Sequence, residues 1–180
     1  VVSFKQNLPV IADSQSITNI LRYRTYHSFN ENLVGALKIY GAAVNSINDD
    51  DVRLSKRLRL GRTLIRGFES GKIGPKDGND YIGGNYATAV NFEASLPNLL
   101  PESYRTDFSV YLDSANVWGV DYSSAVDESS KIRSSVGVAA NVWTVIGPLS
   151  WTFSQNISKA STDKTETFSF NLGTSFWWNI

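Results

Sequence analysis

Cysteine and methionine are both absent from this 180-residue chain. Without thiols there is no disulfide framework and no thiolate metal site. There is one histidine, His27, so a histidine-dependent catalytic pair or a multi-histidine metal site would need residues from another chain. Net charge is also missing: 17 Lys and Arg balance 17 Asp and Glu. That leaves no global basic field for nucleic acid and no acidic tail. No apolar run approaches the roughly 20 residues that a membrane-spanning helix needs. This does not exclude a membrane protein, because the strands of a membrane barrel hide their apolar residues in alternation. Nucleophile elbows, P-loops and dinucleotide fingerprints are lacking, and no pair of carboxylates is placed around a reacting bond. The chain reads as non-enzymatic, with no cofactor and no metal. It opens Val1-Val2-Ser3-Phe4-Lys5, with neither a signal peptide nor an initiating Met, so we expect a mature chain or a section of a longer protein.

Period-2 alternation is abundant. In 165–176, Phe168, Phe170, Leu172 and Phe176 share one face, and Thr167, Ser169, Asn171, Gly173 and Ser175 the other. In 149–157, Leu149, Trp151, Phe153 and Ile157 oppose Ser150, Thr152, Ser154 and Asn156. In 131–144, Val136, Val138, Ala140 and Val142 oppose Arg133, Ser135, Gly137 and Asn141. The same rhythm sets Phe108, Val110 and Leu112 against Asp107, Ser109, Tyr111 and Asp113, and Val90, Phe92 and Ala94 against Asn91, Glu93 and Ser95. Weaker versions surround Leu37 and Ile39, Leu21 and Tyr23, and Val2 and Phe4. These segments predict about eight antiparallel strands, most near the roughly 10 residues of a tilted membrane strand.

The connections alternate in length. Segments 29–32, 97–103 and 145–148 are short, whereas 10–17, 45–81, 119–130 and 159–164 are polar and mostly longer. Short turns on one side and long loops on the other match an outer-membrane barrel, with the turns periplasmic and the loops extracellular. A soluble β-sandwich also has alternating strands, but its strands average only about 5–6 residues. Segment 45–81 is far longer than an ordinary hairpin loop, and such loops are usually functional or disordered.

Three groups of residues stand out. The first is Ile65-Arg66-Gly67-Phe68 in the long loop, with Glu93 and Asp113 on the next two strands. Parity turns both carboxylates away from the apolar faces. If those faces meet lipid, both carboxylates point into a lumen, where an arginine fork can pair with them. Solvated lumen charges are the bland alternative. Gly67 and Phe68 favour the paired reading, because glycine permits a tight bend and an aromatic can wedge against the wall. The second group is basic: Arg53, Lys56, Arg57, Arg59, Arg62 and Arg66, interleaved with Leu54, Leu58, Leu60 and Leu64. Strand extension and lumen lining explain it better than nucleic acid does. The third is Asp49-Asp50-Asp51, read as a solvated turn rather than a cation site. His27 shares its parity with Leu21, Tyr23 and Phe29 and is read as an interfacial side chain, not a proton switch.

A family resemblance rests on five ordered motifs. The run Ile65-Arg66-Gly67-Phe68-Glu69-Ser70-Gly71-Lys72-Ile73-Gly74-Pro75 resembles the lumen-folded loop of BamA-type assembly proteins. Gly83-Gly84-Asn85 with Phe92-Glu93 resembles the next strand, and Asp113-Ser114-Ala115-Asn116-Val117-Trp118 resembles Asp-x-Gly-Asn-Val-Trp, with Ala115 in place of the glycine. Gly147-Pro148-Leu149-Ser150-Trp151-Thr152-Phe153-Ser154 is similar to the family's Gly-Pro-Leu strand, although Ser154 and Asn156 replace a small residue and a proline. Phe168–Phe176 resembles its final strand, and Trp177-Trp178-Asn179-Ile180 continue past the usual terminal aromatic.

The resemblance implies an all-β fold. The chain, 1–180, would be the C-terminal part of a roughly 16-stranded antiparallel transmembrane β-barrel, with 45–81 an extracellular loop folded into the lumen. It implies that Arg66, Gly67, Phe68, Glu93 and Asp113 anchor the loop, and that Phe170, Gly173 and Phe176 belong to a weak lateral seam and a terminal sorting signal. The implied function is assembly and insertion of β-barrel proteins into the outer membrane of a Gram-negative bacterium, by templating strands at that seam. A related translocase or two-partner secretion pore using the same loop, and a plain channel or adhesin barrel, stay open as alternatives. The implied partners are outer-membrane lipid and lipopolysaccharide, unfolded barrel clients and, through periplasmic domains absent from this chain, assembly lipoproteins. Nucleic acid is not among them.

Overall fold

The computed structural model describes residues 1–8, 16–47, 50–121, 131–145 and 147–172. Eight strands form one antiparallel sheet in the order β1, β2, β3, β6, β7, β8, β9, β10. They are β1 (Val2–Asn7), β2 (Ser16–Asn30), β3 (Leu33–Ser46), β6 (Tyr86–Leu96), β7 (Thr106–Trp118), β8 (Arg133–Thr144), β9 (Gly147–Ser158) and β10 (Phe168–Leu172). Between β3 and β6, Lys76–Asp77 (β4) and Asp80–Tyr81 (β5) form a small separate hairpin. A short 3₁₀ turn, Glu102–Tyr104, lies in the 97–105 connection. Every long strand neighbours its successor in sequence, so the sheet is a meander.

The six central strands run 11 to 15 residues, long enough to cross a hydrocarbon layer at a tilt. Among the described residues the outer strands comprise 6 residues in β1 and 5 in β10.

The two faces have inverted polarity. On the outer face, Phe92, Val110, Val138 and Phe153 are each about half exposed. On the inner face Asp113, Arg133 and Ser135 are fully buried, and Tyr111 nearly so. Burying charge while exposing rows of large apolar side chains is unfavourable in water and expected where the outer face meets lipid. The cover for the inner face is the described part of the long connection, 50–85, which lies against it. Leu60, Ile65, Phe68 and Ile73 of this loop pack on Ala87 and Ala89 of β6 and Ala115 and Val117 of β7. Small alanines on the wall leave room for the loop to approach. Ala115, the departure from the glycine motif, keeps the β6–β7 register intact opposite Ala89.

Two expectations are corrected. The basic stretch 53–62 does not extend a strand: a turn occupies 54–56, and only Leu58 makes a bridge, to Gly84. Its leucines recur at uneven spacing, which fits neither strand nor helix period; Leu60, with Leu58 and Leu64 partly buried beside it, anchors an irregular loop, while Leu54 stays exposed. The hairpin β4–β5 was absent from the sequence reading, because strands of two residues carry no alternation.

Candidate functional site: a loop laid across the wall

Strand register places one polar side chain from each of five consecutive strands in a single row on the inner face. Lys38 of β3 lies opposite Asn91 of β6, Asn91 opposite Asp113 of β7, Asp113 opposite Ser135 of β8, and Ser135 opposite Asn156 of β9. The loop backbone runs along this row. Asn91 Nδ2 donates to the Leu64 carbonyl at 3.0 Å. The Arg66 N–H donates to Asp113 Oδ2 at 3.0 Å. Ser135 Oγ donates to the Arg66 carbonyl at 2.5 Å, and Asn156 Nδ2 to the Gly67 carbonyl at 2.8 Å. Four successive strands thus hold four backbone groups of one short loop segment. Buried backbone groups outside a ladder need such partners.

The Arg66 side chain strengthens the grip. Its Nε donates to Asp113 Oδ2 at 2.7 Å and its Nη2 to Asp113 Oδ1 at 2.8 Å, the bidentate fork for which a guanidinium is suited. Nη1 reaches Glu93 Oε2 at 3.4 Å, a longer and weaker bond. The guanidinium also lies over the Tyr111 ring, 3.5 Å from its centroid, a favourable placement for a cation on an aromatic face. Burial opposes the Arg66 charge, but the bonds and charge of Asp113, followed by Glu93, outweigh it and raise its pKa above the ordinary guanidinium value.

Three neighbours complete the arrangement. Lys38 Nζ stands 3.2 Å from Glu93 Oε2, so two cations face two carboxylates. The Tyr111 hydroxyl meets Ser154 Oγ at 2.5 Å, passing over Gly137, whose missing side chain clears the way. Gly67 takes φ of +84°, and a β-carbon there would sit 3.0 Å from that of Ser154 and 3.1 Å from that of Ser135. Glycine is therefore required twice over, for its backbone and for its contact.

Phe68 is buried in the loop–wall cluster. The structure thus brings Arg66, Gly67, Phe68, Glu93 and Asp113 together. Phe170 sits on the outer face, paired with Trp151 of β9 and tilted against its ring. Gly173 and Phe176 lie outside the described residues. Asp50 and Asp51 are exposed, with Asp49 outside the described residues, and His27 is exposed edge-on to the Phe29 ring at 4.7 Å. No group of three or more His, Cys, Asp or Glu able to hold a metal occurs among the described residues. The sequence reading missed Lys38, Asn91, Tyr111, Ser135 and Asn156 as participants. Parity put all five on the inner face, but the signal that unites them is the register.

A family model described as the Omp85 superfamily domain matches residues 1–176. Outer membrane protein assembly factor BamA of Neisseria meningitidis serogroup B is 29% identical over 139 residues, covering 62% of this chain and 17% of that protein. A SAM50-like protein of Schizosaccharomyces pombe is 41% identical over 56 residues, covering 31% of this chain and 12% of the relative. Among solved structures, that of BamA from Haemophilus ducreyi lacking POTRA domains 1-3 superposes with a TM-score of 0.82 at 25% identity, covering 94% of this chain and 37% of that one. The chain therefore spans less than a fifth of the length of these two sequence relatives.

Proposed function

The chain belongs to the Omp85 superfamily, and from that premise we propose that it forms the C-terminal part of an outer-membrane barrel that folds and inserts other β-barrel proteins. The single observation that carries the reading is the loop of 64–67 held across the inner wall by Asn91, Asp113, Ser135 and Asn156, with Arg66 gripping Asp113 and Glu93. A barrel that served only as a diffusion channel would gain nothing from a plug fastened through its middle.

In this reading the loop fills the lumen and sets the shape of the wall, with Arg66, Gly67, Phe68, Glu93 and Asp113 as its anchor. The work is done without nucleotide hydrolysis or a catalytic centre. A client strand adds to the weak seam beside the last strand, to which this reading assigns Phe170, Gly173 and Phe176, and satisfies its backbone hydrogen bonds as it enters lipid. The partners are outer-membrane lipid and lipopolysaccharide, unfolded barrel clients and, through parts of the protein outside this chain, assembly lipoproteins. The location is the outer membrane of a Gram-negative bacterium.

The test is Arg66→Ala in the intact protein. Insertion of barrel clients should fall at least about tenfold, the direction expected when a buried charge partner is removed. Heat-modifiable migration of the barrel on gels should weaken with it. Unchanged client insertion and unchanged migration together would refute the reading.

A further inference from the structure

The chain ahead of the last strand takes a detour. β9 pairs with β8 out to Ser158, but the β9–β10 ladder starts only at Phe168 opposite Phe153 and, among the described residues, runs to Leu172 opposite Leu149. One further bond joins the Ser154 N–H to the Thr167 carbonyl at 2.8 Å. The preceding residues then pair with the long loop instead. The Glu166 N–H donates to the Gly67 carbonyl at 3.0 Å, the Glu69 N–H to the Lys164 carbonyl at 3.0 Å, and the Lys164 N–H to the Lys72 carbonyl at 3.1 Å. Phe68 and Thr165 form a bridge between them.

Two arginine–carboxylate forks hold this detour. Arg133, the first residue of β8, donates from Nε to Asp163 Oδ2 at 2.9 Å and from Nη2 to Asp163 Oδ1 at 3.0 Å. Both side chains are fully buried. Asp163 Oδ2 also accepts the Ala160 N–H at 2.6 Å, closing the turn that it caps. In the second fork, Arg62 of the loop donates to Glu166 from Nε at 2.7 Å and from Nη2 at 2.9 Å.

We propose that Arg133–Asp163 and Arg62–Glu166 are positioning pairs that hold residues 164–166 on the long loop and so keep the last strand from starting earlier along β9. The segment has a second partner available. Continuing the register of Phe168 opposite Phe153 would set Thr165 opposite Asn156, lengthening the ladder by three pairs along a stretch of β9 that β8 already supports. Pinning the 160–163 turn to the start of β8 aims the chain at the loop, and Arg62 fastens it there. The seam is then weak because the loop has taken part of its strand, an inference that rests on the proposed assembly function only for the use of that seam.

Site-resolved amide exchange on the intact protein in lipid bilayers tests the proposal. The Glu69 amide is the probe, because it donates to the Lys164 carbonyl, and the Arg66 amide, bound to Asp113, is the control. In Asp163→Asn Glu69 exchange should rise by about tenfold, and in Glu166→Gln, whose pair is more exposed, by about threefold, while Arg66 exchange stays as it was. Exchanging the outer pair as Arg62→Glu with Glu166→Arg should restore the protection of Glu69. If Asp163→Asn loosens both amides, Glu166→Gln on the more exposed pair decides. Unchanged Glu69 exchange in Glu166→Gln overturns the proposal. Client insertion is measured on the same samples. Exchange that behaves as expected in a protein that inserts no client strands would refute the assembly function and leave the positioning pairs standing.

Discussion

Asp113 carries more than any other side chain of the site. Its Oδ2 accepts both the Arg66 N–H and Nε, while Oδ1 accepts Nη2. Glu93 contributes one bond of 3.4 Å to the same arginine and keeps its own contact with Lys38. Breaking a buried ion pair by removing one partner costs about 3–5 kcal/mol, because an uncompensated charge remains. Asp113→Asn should therefore lower stability by about that amount, and Glu93→Gln by clearly less, as read from denaturant unfolding of the intact protein in a lipid-mimetic bilayer. Equal losses would mean that the two carboxylates share the arginine evenly. Gly67→Ala should be costly as well. A left-handed backbone costs a residue with a β-carbon about 1–2 kcal/mol, and crowding against Ser135 and Ser154 adds to it. The same unfolding measurement checks it, and a loss well under 1 kcal/mol would show that the loop can shift aside.

At the scale of elements, the strands, their faces and the meeting of Arg66 with Glu93 and Asp113 were legible in the sequence; the register and the rest of the loop's path were not. Alternation in 106–118 and 133–144 placed Asp113, Arg133 and Ser135 inward, where they are buried. It left open which residue on one strand faces which on the next, because register is set by turn geometry and packing. The row from Lys38 to Asn156 exists only once the five strands are aligned. Asp163 was invisible for a different reason. It sits in a polar connection with no periodicity, and only the fold brings it to Arg133. The outer face makes its own prediction. Val138 lies opposite Phe153 in mid-strand, both exposed. Val138→Lys should cost about 2–4 kcal/mol if that face meets the middle of a bilayer, measured by the same unfolding experiment. A change within about 0.5 kcal/mol is what a water-exposed surface would give.

For the whole molecule, loop and sheet constrain each other. The eight strands form an open sheet with β1 at one edge and β10 at the other. An eight-stranded barrel encloses only enough room for its own side chains, yet here residues 50–85 cover the inner face and bury Leu60, Ile65, Phe68 and Ile73 against it. The wall must therefore be part of a wider barrel, in agreement with a superposition that covers 94% of this chain and 37% of a BamA structure. Open edges in lipid leave backbone groups without partners, so further strands are needed to satisfy them.

The most direct test is a thiol pair at Arg66→Cys and Asp113→Cys in the intact protein within membranes. The Arg66 N–H lies 3.0 Å from Asp113 Oδ2, which brings the Arg66 backbone to the tip of the Asp113 side chain, so a short thiol-reactive crosslinker is used to join the two cysteines. Removing both partners together leaves no orphan charge, and the bonds from Asn91, Ser135 and Asn156 still hold the loop backbone. This chain contributes no other cysteine. Efficient bridging, with the loop shielded from protease added outside the cell, is the expected result. No bridge, with the loop cut from outside, would contradict a loop fastened across the inner wall.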